Sequence, residues 1–225
     1  MKQNKPKLLI DWCSHDAAKY ACENWHYSKC IPKSKLVKLG VWENEVFIGV
    51  IIFGVGATNT LVKRFGLDSN QGCELVRVAL RSHVNTVTKM ISIALKMLKK
   101  ANPGIRLVVS FADPEQGHVG GIYQGGNWRF CGKSQSSDEY IYKGKRWQGR
   151  SFRNSFKGME KHPSVKTVKG SSKYRYVMPM DRDMNKIIER FLIRKYPKRV
   201  EHESNAVDFQ STEGGAVPTD ALHIE

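Results

Sequence analysis

The chain has 225 residues, 40% of them hydrophobic, which suits one globular domain with terminal extensions and is too little for two full domains. It has no run of about 18 apolar residues and no apolar signal segment at its N-terminus, so we expect neither a membrane span nor export. Five cysteines, odd in number and without close pairs, predict neither a disulfide framework nor a zinc knuckle. A reducing cytoplasm fits this composition.

The formal net charge of +16 arises from 37 basic and 21 acidic side chains and is spread unevenly. No lysine or arginine follows Arg199, whereas six of the acids do, so residues 1–199 carry +22. A field of this size attracts polyanions, nucleic acids among them. Residues 200–225 are predicted to form an acidic, disordered tail.

The first predicted elements are a strand over 8–13 and a helix that Ser14 caps and that ends near Trp25. Two apolar runs, 36–43 and 45–54, predict an antiparallel hairpin around Asn44 at the centre of the sheet. A short helical stretch near residues 60–65 and a strand over 73–80 follow.

The next element is a helix from about 86 to 100, with Ser82 or Asn85 as its cap and Pro103-Gly104 as its stop signal. A buried strand over 105–112 leads into a loop and a further helix. The remaining predicted elements are short strands at 128–133 and 138–143 and an amphipathic helix over 183–195.

This order predicts an α/β fold with a mixed sheet, antiparallel at the front and parallel where a helix joins strands 73–80 and 105–112. Sheets of this kind place their sites at the carboxyl ends of parallel strands. We therefore expect the site near residues 80–85 and 111–118.

The stretch 110–128, SFADPEQGHVGGIYQGGNW, is the main candidate site, because polar side chains and glycines crowd the end of a buried strand. Its polar members are Ser110, Asp113, Glu115, Gln116, His118 and Tyr123. The alternative is an ordinary turn in which Asp113 caps the following helix. An acid, an amide and an imidazole within six residues favour a site.

Two further groups are candidates. His26 and Tyr27 form a polar and aromatic pair after the first helix, although His26 can also serve as a helix C-cap and Tyr27 as a core residue. Glu74 and Arg77 lie three apart, on opposite faces of a regular strand, as walls of the site or as structural ion-pair partners.

Residues 143–175 contain eleven lysines and arginines against one acid, with aromatic residues between them. Phosphate binding and base stacking need this combination, whereas a solvated surface normally mixes charges of both signs. The predicted DNA-binding residues are Lys145, Arg146, Trp147, Arg150, Arg153 and Lys157. We divide the chain into a catalytic domain (1–142), a basic extension packed on it (143–199) and the tail (200–225).

The motifs WHYSKCIP (25–32), ELVRVAL (74–80) and SFADPEQGHVGGIYQGGNWRFCG (110–132) resemble the Mom family of bacteriophage proteins. The resemblance covers about residues 20–145. It implies an enzyme that converts adenine in double-stranded DNA to N6-carbamoylmethyladenine, in the cytoplasm of the infected host, and so protects the DNA from restriction. It also implies a fold similar to the GNAT acyltransferases.

The resemblance also suggests roles for the candidate residues around an adenine flipped out of the duplex. Asp113 holds or deprotonates the N6 amino group, with His26 as the alternative base, and His118 shares the proton transfer. Tyr27 and Tyr123 stack on the base or protonate a leaving oxygen. Ser110 and Gln116 orient the substrate, together with the walls at Glu74 and Arg77.

In GNAT enzymes, the turn after the fourth strand is rich in glycine and binds the pyrophosphate of an acyl-coenzyme A. Here the turn reads RSHVNT (81–86), without glycine, and its donor-binding candidates are Arg81, Ser82, Asn85 and Thr86. The product carries a nitrogen that acetyl transfer alone cannot supply. Glycyl-tRNA is therefore our hypothesis for the donor, with acetyl-CoA as the alternative, and tRNA becomes a possible second partner.

Two other functions remain open: a DNA-binding or regulatory protein without chemistry, and a conventional GNAT N-acetyltransferase. Nucleotide hydrolysis and serine hydrolysis lose support because no P-loop, GxGxxG turn or GxSxG motif is present. His26, Asp113, Glu115 and His118 can supply metal ligands, but their spacing alone does not establish a site.

Overall fold

A computed structural model describes residues 5–56, 60–193 and 195–198 of the chain. Its main feature is a seven-stranded mixed sheet in the order β1-β2-β3-β4-β5-β10-β6, and a second sheet has the order β8-β7-β9. The predicted mixed α/β fold class is confirmed. The strands are β1 (Leu8–Trp12), β2 (Leu36–Glu43), β3 (Val46–Gly54), β4 (Gly72–Leu80), β5 (Leu107–Ala112), β6 (Arg129–Lys133), β7 (Asp138–Tyr142), β8 (Lys145–Gln148), β9 (Lys166–Lys169) and β10 (Tyr174–Pro179). The α-helices are α1 (His15–Trp25), α2 (Val87–Ala101), α3 (Gly121–Gln124), α4 (Gly149–Ser155) and α5 (Arg182–Ile188), and short 3-10 turns lie at Lys63–Phe65, Ser69–Gln71, Pro114–Gln116 and Glu189–Phe191.

The N-terminal half follows its local sequence signals closely. The hydroxyl of Ser14 accepts a hydrogen bond from the Ala17 N–H, so Ser14 is the N-cap of α1 as predicted. Strands β2 and β3 form the predicted hairpin, and Asn44 and Glu45 make its turn with φ of 47° and 68°. Asparagine is among the residues that tolerate this conformation best.

Helix α2 packs one apolar face on the sheet, as its periodicity predicts, and Met90, Ile91 and Leu98 lie in the main core. Its predicted caps were wrong. The N-cap position belongs to Thr86, and no side-chain hydrogen bond caps the helix there. Asn85 instead turns inward, where it is buried beside Glu43.

Strand β10 completes the main sheet from within the segment predicted as a basic extension. It pairs antiparallel with β5 on one side and with β6 on the other. Tyr176 and Val177 point to opposite faces of the sheet and are both fully buried. The predicted boundary at 142/143 therefore cuts through the main sheet, because residues 174–179 belong to it.

The second sheet and α4 enclose a cluster of aromatic rings. Tyr140 stacks on Phe152 with ring centroids 4.6 Å apart, and Phe156 meets both Phe152 and Trp147. The aromatic side chains of the basic segment thus build a small core of their own.

The last helix is shorter than predicted. Asp181 caps α5 by accepting a hydrogen bond from the Met184 N–H, and Glu189–Phe191 continue as a 3-10 turn. The acidic tail predicted for residues 200–225 lies outside the described residues.

The packing of Gly120 against Tyr176 can be tested, because Gly120 has φ of 84° and a Cβ at this position would clash with the Tyr176 ring. Gly117 is the matched control, with φ of 67° and open space around it. We expect Gly117→Ala to cost about 1–2 kcal/mol through left-handed strain alone. Gly120→Ala should cost about 1–3 kcal/mol more, through overpacking against Tyr176. Urea unfolding of the two variants measures the difference, and equal costs would contradict the packing described for Gly120.

Candidate active site

The candidate site lies where β4 and β5 separate. The two strands pair in parallel only from Gly72 to Glu74 and from Leu107 to Val109, although both continue well beyond. Across the opening, the Ser110 hydroxyl lies 2.9 Å from the Leu75 carbonyl oxygen. A hydrogen bond from the Ser110 side chain thus takes the place of the missing backbone pairing, at the carboxyl end of the two parallel strands.

The phenol of Tyr123 fills the inner end of this opening, 2.7 Å from the Ser110 Oγ. A serine hydroxyl has one proton, and the Leu75 carbonyl can only accept, so Tyr123 donates its proton to Ser110. Burial raises the pKa of Tyr123 to about 12. Its ring packs between Trp128 and Tyr176. Tyr123 is only 8% exposed, so its ring is not available to stack on a base, as one of its predicted roles required.

Three aromatic rings stand at the outer end of the opening. Tyr27 is 50% exposed, and its ring centroid lies 4.2 Å from that of His26 and 5.4 Å from that of His118. His118 is exposed as well. The structure thus brings together two motifs about 90 residues apart in sequence, and it excludes the alternative that Tyr27 is a core residue.

The His26 ring is held in one orientation by Ser28. The Ser28 N–H donates to His26 Nδ1 at 3.1 Å, and the Ser28 hydroxyl lies 2.8 Å from the same nitrogen. Burial, reinforced by the charge of Arg77, lowers the pKa of His26 to about 4. At neutral pH the ring is uncharged with its proton on Nε2, because Nδ1 accepts from Ser28. Such a ring can donate a hydrogen bond but is a weak base, which argues against His26 as the alternative base.

Glu74 and Arg77 lie on the same face of β4. Ile52 pairs with Arg77 and Phe53 with Leu75, so Val76 is an extra residue that forms a β-bulge. The bulge shifts the alternation of side chains between the two faces by one position. Glu74 and Arg77 therefore do not lie on opposite faces, as they would on a regular strand. The Arg77 guanidinium donates to the carbonyls of Val76 and Cys30, at 2.7 Å and 3.4 Å. It therefore ties β4 to the loop that carries His26 and Tyr27.

Asp113 begins the loop after β5 and is nearly buried. Its Oδ1 accepts from the Glu115 N–H at 3.1 Å, and its Oδ2 lies 2.9 Å from the Lys173 ammonium. Burial opposes ionisation, but the hydrogen bond and the charge of Lys173 outweigh it and lower the pKa of Asp113. Asp113 thus caps the 3-10 turn Pro114–Gln116, as the alternative interpretation held, and is also ion-paired.

Lys173 and Ser171 are site residues that the sequence did not reveal. The Ser171 hydroxyl donates to Asp113 Oδ1 at 3.3 Å, beside the Lys173 pair. The two lie about 60 residues beyond Asp113, and only the pairing of β10 with β5 brings them to it. Gln116, by contrast, was singled out by the sequence and is exposed on the same loop.

A basic surface on the second sheet adjoins the site loop. Arg146 joins the two, because it contacts Glu139 of β7 at 2.6 Å and Glu115 of the site loop at 3.3 Å. Lys145, Arg153 and Lys157 are exposed, while the side chain of Arg150 lies outside the described part of the chain. The aromatic residues of this segment mostly pack on one another and are not displayed for base stacking. Trp147 is partly buried under the Lys145 ammonium, 4.6 Å from its ring centroid.

The turn predicted to bind the donor is occupied by a carboxylate of the chain itself. Glu43 Oε1 accepts from the backbone and the side-chain N–H of Asn85, at 2.6 Å and 2.8 Å, and Oε2 accepts from the Val84 N–H at 3.0 Å. These amides precede α2, where a GNAT-type fold binds pyrophosphate. Burial opposes the ionisation of Glu43, but these bonds outweigh it and lower its pKa.

The residues of this turn therefore do not fit the pyrophosphate of coenzyme A. Asn85, predicted to contact the donor, is buried and bonded to Glu43. Arg81 lies over the Trp25 ring, 5.9 Å from its centroid, whereas Ser82 and Thr86 are exposed. A phosphate here would have to displace a buried carboxylate of the same sign.

Within 5–56, 60–193 and 195–198, no group of three or more His, Cys, Asp or Glu side chains is placed to hold a metal ion. None of the helices in these same ranges is long and apolar enough to cross a membrane.

The chain was compared with known proteins. The family model described as the Mom protein family matches residues 7–198. The chain is 27% identical over 205 residues to the methylcarbamoylase Mom of Escherichia phage Mu, and this match covers 85% of this chain and 84% of that protein.

Similar solved structures include the aminoglycoside acetyltransferase AAC(6′)-Ib in complex with coenzyme A and kanamycin. Its TM-score is 0.48 at 10% identity, and the match covers 82% of this chain and 98% of that one. FeeM, an N-acyl amino acid synthase from uncultured soil microbes, has a TM-score of 0.43 at 10% identity over 77% and 90%. Since the family model spans most of its length, this chain belongs to the Mom protein family.

Proposed function

We propose that this protein is a phage enzyme that converts adenine in double-stranded DNA to N6-carbamoylmethyladenine and thereby protects the DNA from restriction. Membership of the Mom family and the name of the phage Mu relative, a methylcarbamoylase, support the reaction class. The observation that carries the proposal is the exposed Tyr27 and His118 pair at the opening between β4 and β5, beside a basic surface.

The opening suits a flipped base. A base that leaves the duplex costs a few kcal/mol and is held by stacking and by hydrogen bonds to its polar edge. Tyr27 offers the exposed ring for stacking, and the neutral His26 beside it offers an N–H donor. The target N6 would then lie between this pair and the loop that begins at Asp113.

The basic surface suits the DNA backbone. Lys145, Arg153 and Lys157 are exposed around the second sheet, and the Arg146 bridge to Glu115 holds this sheet against the site loop. Phosphate contacts made there would set the orientation of the duplex relative to the opening. The charge of +22 on residues 1–199 would also suit a second nucleic acid, such as a tRNA.

For the donor we propose glycyl-tRNA. The Glu43 carboxylate on the turn before α2 disfavours an acyl-coenzyme A bound in the GNAT manner. The adenine N6 would attack the glycyl ester, releasing the tRNA hydroxyl and forming an amide. The free glycyl amine would then attack C6 through a five-membered ring, and the C6–N6 bond would break. The glycine nitrogen becomes the new N6, and the old N6 becomes the terminal carboxamide.

The geometry refines the proposed roles. Asp113 Oδ2 accepts one described hydrogen bond, from Lys173, and a carboxylate oxygen has room for a second, from the N6 amino group. Because its pKa is lowered, Asp113 holds this group and does not deprotonate it. His118 takes the proton, and Tyr27 stacks on the base. Ser110 and Arg77 act by positioning, through the Tyr123 and Cys30 contacts, and Gln116 and Glu74 line the entrance.

The reaction is tested with purified protein, adenine-containing duplex DNA and glycyl-tRNA charged with ¹⁵N,¹³C-glycine. We expect carbamoylmethyladenine that carries both carbons, with the ¹⁵N bonded to the purine ring, in mass spectra of the released nucleosides. Labelled acetyl-CoA should give no incorporation. Label from acetyl-CoA but not from glycine would overturn the donor, and a DNA-binding protein without chemistry would leave every nucleoside unmodified.

The role of Asp113 is tested with Asp113→Asn, which keeps the shape but removes the charge that pairs with Lys173. We expect modification to fall at least about 100-fold, with DNA affinity within about threefold of wild type. Asp138→Asn is the matched control, because it breaks an exposed pair with Lys169. Thermal unfolding of both variants separates loss of fold from loss of chemistry. A folded Asp113→Asn with wild-type activity would remove Asp113 from the site.

The DNA surface is tested with the double variant Lys145→Gln/Lys157→Gln. We expect weaker binding to duplexes of any sequence and a salt dependence flattened by about 0.9 for each phosphate that is no longer neutralised. Lys96→Gln/Lys100→Gln, on the exposed side of α2, removes the same charge elsewhere. Equal losses in both pairs would mean that binding depends on net charge and not on this surface.

A further inference from the structure

Two arginines lie over the same apolar cluster, on the face of the main sheet that packs against α5. Arg175 lies on β10 opposite Phe111 of β5, and its guanidinium carbon lies 5.8 Å from the centre of the Phe111 ring. Arg64, in the 3-10 turn Lys63–Phe65, lies over Phe65 at 5.3 Å and over Phe191 at 5.4 Å. Phe65, Phe111 and Phe191 belong to one apolar cluster, so each guanidinium group lies against at least one ring of this cluster.

The charge of this pair has no carboxylate partner in the described part of the chain. Arg175 Nη1 is buried without a hydrogen-bond partner among residues 5–56, 60–193 and 195–198, and no ion pair of these residues includes Arg64 or Arg175. Arg106 on the same sheet is different, because Asp181 accepts two of its hydrogen bonds, at 2.8 Å and 3.1 Å. A guanidinium that is half-buried, with one nitrogen fully buried and without such a partner, is costly.

The electrostatics agree with two like charges held close together. Burial and the charge of Arg64 both hold the pKa of Arg175 below its usual range. Burial raises the pKa of the Cys131 thiol to about 11, while Arg64 and Arg175 both act to lower it, so both charges lie near the same sulfur atom. An anion bound between the two arginines would remove this repulsion.

We propose that Arg64 and Arg175 form a binding site for a phosphate group. Planar guanidinium groups bind phosphate oxygens in pairs, and rings that fix the guanidinium planes prepare them for such contacts. Arg175 supplies a fixed, half-buried donor, and the exposed Arg64 stands at the entrance. The phosphate comes either from a nucleic-acid backbone or from free phosphate.

The position of the pair favours a backbone phosphate next to the target nucleotide. Lys173, which binds Asp113, precedes Arg175 by two residues, and Asp113 follows Phe111 by two. Two residues of an extended strand span about 7 Å, so the phosphate would lie about that far from the candidate site. Only the choice of DNA as the source rests on the proposed function.

The site is tested first with inorganic phosphate and the full chain, by thermal unfolding with and without phosphate at constant ionic strength. Wild type should gain stability with phosphate, and Arg175→Met and Arg64→Met should lose that gain. Arg182→Met, an exposed arginine on α5, should keep it. Without phosphate, Arg175→Met should unfold at or above the wild-type temperature, because an unpaired buried charge has been removed. An arginine that only packs on Phe111 would instead lower this temperature. The proposal is overturned if wild type shows no gain, if either variant keeps it, or if Arg182→Met loses it.

The second arm measures affinity for a duplex without any modification assay, so its outcome is independent of the chemistry proposed above. A backbone phosphate predicts a salt dependence about 0.9 smaller in Arg175→Met and Arg64→Met than in Arg182→Met. If phosphate no longer stabilises the two variants but the salt dependence of their duplex binding is unchanged, the site binds free phosphate. This result would overturn the nucleic-acid backbone as the source.

Discussion

Between Leu75 and Ser110, one side-chain hydrogen bond connects β4 and β5 where their backbone pairing has ended. Parallel strands that separate leave backbone carbonyls to be satisfied, and here the Ser110 side chain satisfies the one nearest the split. The split can therefore persist without burying an unpaired acceptor. The position of Tyr123 and the start of the Asp113 loop both depend on it, and Arg77 then draws the His26 loop over the same opening.

Strand β10, which pairs with the other edge of β5, contributes both to the sheet and to the candidate site. It closes the sheet between β5 and β6 with the buried side chains of Tyr176 and Val177. It also begins where Lys173 reaches Asp113, so the stability of the sheet and the charge at the site depend on the same strand. The second sheet is held to this region through Glu115 and Arg146. Residues that look like an appended basic segment in the sequence are thus part of the fold and of the site.

The sequence predicts well whatever depends on neighbours in the chain. The Ser14 cap, the hairpin turn at Asn44 and the apolar face of α2 each follow from residues a few positions apart. It predicts poorly what depends on distant pairing. Strand β10 pairs with β5 and β6, which come much earlier in the chain, and the bulge at Val76 is set by its partner strand. The carboxylate on the turn before α2 comes from 42 residues earlier in the chain. The sequence identifies the loops at His26 and His118 separately, and only the three-dimensional structure shows that the rings of Tyr27 and His118 are neighbours.

The buried Glu43 affects the stability of the turn before α2. A turn that binds a soluble anion links the stability of its helix to the concentration of that anion. Here the anion is a side chain of the same chain, so it is present at the turn before α2 at a constant effective concentration. The stability of this turn is therefore independent of the concentration of any soluble anion.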